Sequence, residues 1–166
     1  MYHVSDETRI KQKRGTGRLA SYIPWYKVHE VPSKGVSWRI KGAKTNRIHH
    51  LLSTLEKVVM LHFDSLPTVI DIREQFPLPL RKTLRIADMQ GTKHGNDKGV
   101  YKVMTTDLLI DFQNEQLAIS IKPKKMSKRA TMKLLIEQEY WKQIGVRYWL
   151  LTPHEIKILI QNGDKD

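Results

Sequence analysis

The sequence predicts an α/β fold in which a mixed central sheet is flanked by helices, and three stretches carry that prediction. Residues 104–123, MTTDLLIDFQNEQLAISIKP, read as two strands joined by a tight turn, because apolar and β-branched residues dominate on either side of the polar QNEQ. Residues 127–145, SKRATMKLLIEQEYWKQIG, carry a long helical pattern that stops at Gly145. The residues that follow, VRYWLLT, read as a buried strand. The full order is helix, strand, strand, strand, helix, strand, helix, with no internal repeat.

The elements follow in chain order. Residues 1–20 are polar and basic, and KQKRGTGR sets two glycines among lysines and arginines, the pattern of a flexible arm ahead of a single domain over 21–166. Its GTG is not a phosphate-loop or dinucleotide fingerprint, since no strand precedes it and no lysine-serine or lysine-threonine pair follows. Short strands are expected between Tyr22 and His50, separated by turns at PSKG and KGAKTN. Aromatic and cationic residues alternate there (Trp25, Tyr26, Lys27, Trp38, Arg39, Lys41), which fits a DNA-facing hairpin or, equally, a core of aromatics with a solvated basic face. STLEKVVMLHFDS, 53–65, has Leu55, Val58, Val59 and Phe63 near helical spacing and reads as an amphipathic helix. PTVIDIREQFPL, 67–78, is rich in β-branched residues and ends in prolines, as a strand does. MQGTKHGNDKG, after LRKTLRIAD, is a loop or hairpin turn. Last, PHEIKILIQ begins a helix with Pro153 in its first turn.

Composition bounds the chemistry. With 166 residues, 40% hydrophobic and 28% charged, the chain is long enough for one domain with its own core. It has no cysteine, which excludes disulfides, thiolate zinc sites and cysteine nucleophiles, so a metal must be held by oxygen or imidazole. No apolar run approaches the roughly 20 residues that span a bilayer, and the N-terminal stretch lacks the apolar core of a secretory signal, so a cytoplasmic protein with no membrane partner is expected. The 29 lysines and arginines against 17 acids leave a net charge of +12, which makes a phosphate polyanion, and nucleic acid first, the expected partner.

Asp107 lies early in the first strand of the pair, and Lys122 closes the second. If the strands pair around QNEQ, their far ends lie together. Ser120 and Lys122, two apart, face the same way, and the Ile121 carbonyl lies between them. A carboxylate, a neutral oxygen and a lysine suit phosphodiester hydrolysis, which needs a hard cation on oxygen ligands and an ammonium to orient water. The same pair also reads as an ordinary strand-end ion pair. Glu56 is a further acid, although Ser53-Thr54-Leu55-Glu56 is a capping-box pattern in which it bonds its own helix start. Glu137 interrupts an apolar stripe of the long helix and either faces the site or reaches solvent at the stripe's edge. Asp111, four residues beyond Asp107, is expected at the solvated turn. Lys44, Arg47, His49 and His50 are the candidate DNA contacts. No HExxH, GxSxG or Walker lysine occurs.

The blocks RIHHLLSTLEKVVMLHFDSLPTVIDIREQFPL, VMTTDLLIDF, LAISIKP and LIEQEYWKQ, in that order, resemble the signature blocks of the TnsA family, the endonuclease subunits of multi-component cut-and-paste transposons. The resemblance implies a restriction-endonuclease-like core, Mg²⁺ as cofactor with Mn²⁺ substituting, and cutting of the 5′ strands at double-stranded transposon ends. It also implies a TnsB-like recombinase as partner and a TnsC-like ATPase as regulator. It places Glu56, Asp107 and Lys122 on the catalytic glutamate, aspartate and lysine, with Asp107, Glu56, the Ile121 carbonyl and Ser120 as candidate metal ligands. At the position of Ser120 a member of the family carries a glutamine, from which serine departs further, and the family's further C-terminal, winged-helix-like domain has no counterpart in these residues. A Holliday-junction resolvase, a restriction-type nuclease, and a DNA-binding scaffold with a decayed site remain open on the residues alone.

Overall fold

A computed structural model describes residues 4–32 and 35–163. The expected PSKG turn and the first three residues of the expected arm therefore fall partly or wholly outside the described residues. The elements are α1 (Asp6–Lys11), β1 (Trp38–Lys41), β2 (Ile48–Leu51), α2 (Thr54–Ser65), β3 (Val69–Pro77), α3 (Leu80–Met89), β4 (Asn96–Asp97), β5 (Val100–Tyr101), β6 (Thr105–Phe112), β7 (Gln116–Ile121), α4 (Lys128–Gln143), β8 (Arg147–Leu151) and α5 (Pro153–Gly163).

The central sheet runs β3-β6-β7-β8. The first two pairings are antiparallel and the third is parallel. The parallel pair needs a crossover, which α4 provides. Alternation along the strands sends Leu108, Ile110, Leu117 and Ile119 to one face, against Val59, Met60 and Phe63 of α2 and Ile156 of α5. Leu109 and Ala118 face the other way, against Ile86 and Ala87 of α3 and Ile136, Tyr140 and Trp141 of α4. Each large apolar side chain so buried contributes roughly 1.5–3 kcal/mol. A mixed sheet covered on both faces by helices is the restriction-endonuclease-like α/β arrangement.

Three features differ from the sequence expectation. LRKTLRIAD forms α3, with Thr83, Ile86 and Ala87 buried; the signal was Leu80, Thr83, Leu84 and Ala87 at helical spacing behind Pro79. β8 is an edge strand, and Trp149 and Leu150 are 37% and 36% exposed, so an apolar composition did not mean burial. Between Tyr22 and β1 there are no strands among the described residues but one short 3₁₀ turn, Val28–Glu30, and a second, Leu19–Ser21, lies just before Tyr22. Of the aromatics there, Tyr22 and Trp25 are core residues.

Where a free basic arm was expected, residues 5–18 are tied to the domain. Ser5 caps α1 by accepting from Thr8 N, and Asp6 accepts from Val103 N. Arg14 makes two hydrogen bonds to Glu30, at 2.6 and 2.7 Å, with all partners buried. Arg18 reaches Asp111 at 2.7 Å, and Arg73 holds the other oxygen at 2.6 Å. Asp111 is thus a buried anchor of the N-terminal segment and not a solvated turn residue.

The β1–β2 hairpin is fixed to the sheet by one buried carboxylate. Glu74 of β3 accepts two hydrogen bonds from Arg47, at 2.8 and 2.6 Å, one contact from His49 Nδ1 at 2.8 Å and one from His50 N at 3.0 Å. Burial alone would raise its pKa, but the His49 and Arg47 bonds overcome that and hold it near 2. The stability this contributes is present above the ordinary value of 4.5 and is lost as pH falls toward 2. Arg47→Ala, which leaves Glu74 buried without its fork partner, is expected to cost about 3–5 kcal/mol in chemical denaturation. A loss below 1 kcal/mol would show that the network is not under load.

Candidate active site

The far ends of β6 and β7 meet as the hairpin pairing requires. Asp107 Oδ2 accepts from Ile121 N at 2.7 Å and from Lys122 Nζ at 3.0 Å. Their side chains remain 15% and 24% exposed, at the wall of a cavity of about 560 Å³. Glu137, Lys102, Lys133, Arg9 and Tyr26 also line it.

Two acids reach this point from opposite faces of the sheet. Glu56 lies in the first turn of α2, and its capping role is realised: Ser53 Oγ accepts from Glu56 N, while the carboxylate accepts from Leu52 N at 2.8 Å and from Ser53 Oγ at 3.1 Å. Burial raises its pKa to about 8, with the Asp107 charge adding to the rise and Lys122 opposing it. Glu137 comes from α4 on the other face. Its Oε1 accepts from Ser120 Oγ at 2.5 Å and Thr106 Oγ1 at 2.7 Å, and burial with the Asp107 charge, against Lys122, lifts it to about 7. Burial opposes the charge on Lys122, but Asp107, Glu137 and Glu56 together keep its pKa raised.

The strands make this convergence possible by breaking their own alternation. Ile72 of β3 faces α2, so Phe76 should as well; it packs instead against the α3–α4 core, with its ring 6.0 Å from Trp141. Gln75 between them has a φ of +48°, in the left-handed region. Such a conformation costs a non-glycine residue about 1–3 kcal/mol. Across from it, Thr106 bonds Glu137 and Trp141 on the α4 side although Leu108, two residues on, faces α2. Asp107 therefore sits where both strands exchange faces.

Ser120, expected as a metal ligand, is fully buried and donates its hydroxyl to Glu137. An acid does stand at this strand position, but it is Glu137, brought there by the helix that packs on the strand. The stripe Leu134, Glu137 and Trp141 carried that signal, since an acid in a buried stripe needs partners.

The expected DNA contacts come apart. Arg47 and His49 are interior, bound to Glu74, and the His49 ring also contacts Thr45 Oγ1 at 2.8 Å. His50 is half-buried, within 3.3 Å of Val28 N, and burial lowers its pKa to about 4. Lys44 is half-buried on the β1–β2 turn, where its N–H, with that of Ala43, bonds Asp64. None of the four lines the cavity.

Residues 66–153, more than half of the chain and including Asp107, Lys122 and Glu137, match the family described as TnsA-like endonuclease N terminal. The chain belongs to that family. Among similar proteins is the transposon Tn7 transposition protein TnsA of Escherichia coli, 44% identical over 160 residues that cover 93% of this chain and 59% of that protein. The chain thus spans about three fifths of the length of this TnsA relative. Glu56 lies ahead of the matched TnsA-like segment, so its place beside Asp107 rests on the geometry above. Among the described residues no three His, Cys, Asp or Glu side chains form a ready metal cage; both Glu56 oxygens and Glu137 Oε1 are engaged in hydrogen bonds of their own. Glu137→Ala, which strips the acceptor from two buried hydroxyls, is expected to cost about 1–3 kcal/mol, whereas Glu137→Gln keeps an acceptor and should melt within a few degrees of the parent. Equal melting of both variants would remove Glu137 from the structural account of the site.

Proposed function

We propose that this chain is a Mg²⁺-dependent DNA endonuclease subunit of a heteromeric transposase, cutting the 5′ strands at transposon ends together with a TnsB-like recombinase, with a TnsC-like ATPase as regulator. Mn²⁺ substitutes for Mg²⁺, and the site of action is the cytoplasm. The observation that carries the reading is the Asp107–Lys122 pair, set between two acids whose pKa values burial and the Asp107 charge have raised. Family membership supports the reaction class.

The donor set fits a hard divalent cation in its chemistry. Asp107 Oδ1 accepts no hydrogen bond from the described residues, three carboxylates share one field, and no softer ligand is near. Asp107 and Glu56 would hold the ion, with the Ile121 carbonyl completing the set and Glu137 placed to join them. A bound cation supplies charge neutralisation at the phosphoryl oxygens and a more acidic water. Lys122 holds Asp107 in place through its own ammonium and is positioned to stabilise charge that grows on the phosphate as water attacks. The Ile121 N–H fixes the same carboxylate from the backbone, so its orientation does not depend on a mobile side chain.

The DNA strand would follow the cavity and not the β1–β2 turn. Lys102 and Lys133 line the cavity with the acid cluster. Burial, then Arg129 and Lys122, lower the Lys133 pKa, so an approaching phosphate relieves its position. The net charge of +12 adds long-range attraction with no sequence preference of its own.

Calorimetric titration with Mn²⁺ tests the site without the partner recombinase. The parent chain is expected to bind and Asp107→Ala to lose binding, with the same variant failing to cut when reconstituted with a TnsB-like recombinase. Metal-dependent cutting retained by Asp107→Ala would sink the assignment, and no binding by either chain would move a DNA-binding scaffold to the front. Duplex affinity in chelator should fall steeply with salt, and Lys133→Ala should flatten the log–log slope by about one. A slope unchanged by that substitution would take the strand path away from the cavity.

A further inference from the structure

Five non-glycine residues among those described have a left-handed backbone: Lys13, Leu19, Asn46, Gln75 and Lys98. Four lie at turns or helix ends, where such geometry serves to reverse the chain. Gln75 alone lies inside a strand, in β3 opposite the Asp107 level of β6. It is 2% exposed and uses all of its polar reach. Its Nε2 donates to Glu56 Oε2 at 3.2 Å, its Oε1 accepts from Thr105 Oγ1 at 3.3 Å, and its backbone oxygen accepts from Trp25 N at 3.2 Å.

Regular strand geometry would place the Gln75 side chain on the α3–α4 face, since Ile72 and Glu74 face the α2 side. The reversal of the backbone turns the amide toward α2, where it meets Glu56, and sends Phe76 to Trp141 instead. An apolar side chain at 75 would leave Glu56 without this donor, and an acid would add a fourth negative charge. A strand-interior left-handed residue persists only where its surroundings over-determine it.

We propose that Gln75 is a positioning residue for the metal site, holding the Glu56 carboxylate on the Asp107 side of the first turn of α2; this rests on the nuclease reading above. The glutamine touches neither cation nor DNA. It acts through Glu56, as the hydrogen-bond partners behind metal ligands do, whose loss weakens metal affinity about 10–100-fold.

The test is Mn²⁺ calorimetry beside thermal melting on the full chain and two variants. Gln75→Gly removes the amide and relieves the backbone; Gln75→Asn tolerates the left-handed conformation but is one methylene too short to span to Glu56. Both are expected to bind Mn²⁺ about tenfold or more weakly, with the Asn variant melting within a few degrees of the parent. Affinity equal to the parent in either folded variant overturns the proposal, and so does a fall in melting temperature with affinity unchanged, which is what a purely structural glutamine gives. Absence of Mn²⁺ binding by the parent chain overturns the nuclease reading itself, and this inference with it, so the two failures are told apart by the parent titration.

Discussion

Like-charge crowding around Lys122 is the constraint on which the rest of the architecture turns. Glu56, Asp107 and Glu137 belong to α2, β6 and α4, and each would lower its energy by moving toward water or away from the others. Burial and the Asp107 charge instead raise Glu56 to about 8 and Glu137 to about 7. Such an arrangement survives because the apolar cores on the two faces of the sheet clamp the helices that carry the outer acids. α2 cannot withdraw without exposing Val59, Met60 and Phe63, and α4 cannot withdraw without exposing Ile136 and Trp141. The hydrophobic cores hold a charge distribution that electrostatics alone would disperse.

The sheet has to be breached for acids on opposite faces to meet. Ordinary alternation in β3 and β6 would keep the α2 and α4 sides apart, with a layer of side chains committed to each. The exchange of faces at Gln75 and Thr106 removes that separation at one level only. Below it, Ile72, Leu108 and Leu109 alternate regularly and give the sheet its core. The strain is local because the neighbouring residues are fixed: Glu74 by Arg47 and His49, and Phe76 by Trp141.

Much of this was legible in the sequence where periodicity or turn chemistry spoke directly. The capped helix at 54–65, the strand pair around QNEQ and the helix ending near Gly145 follow from Ser53, the β-branched runs and the glycine, and the Asp107–Lys122 proximity follows from the pairing. What was not legible depended on partners distant in sequence. Nothing local to Arg47 or His49 says that Glu74 will draw them into the interior, and nothing in KQKRGTGR says that Glu30 and Asp111 will pin Arg14 and Arg18. Glu137 lay between the two cases. Its helical stripe marked it as buried, but only the position of Ser120 across from it gives it a purpose. Gln75 was invisible, since a left-handed glutamine within a run such as VIDIREQF leaves no trace in pattern or propensity.

Serine at 120 becomes intelligible once the acid is seen to arrive from α4. A carboxylate on the strand at that position would point at the same volume as the Glu137 carboxylate and add a further negative charge to a field already short of cations. A small hydroxyl does the opposite: it donates to Glu137 at 2.5 Å, with Thr106 donating at 2.7 Å, and so favours the charged form that burial disfavours. Strand and helix thus divide one task, the helix carrying the charge and the strand its hydrogen bonds. The same division recurs at Glu56, whose helix supplies the acid while Leu52, Ser53 and Gln75 supply the donors. Asp107 Oδ1 and Glu137 Oε2 accept no hydrogen bond from the described residues, and both side chains line the cavity. The fold therefore holds both oxygens of Glu56 by donors of its own and leaves one oxygen each of Asp107 and Glu137 to be completed from outside.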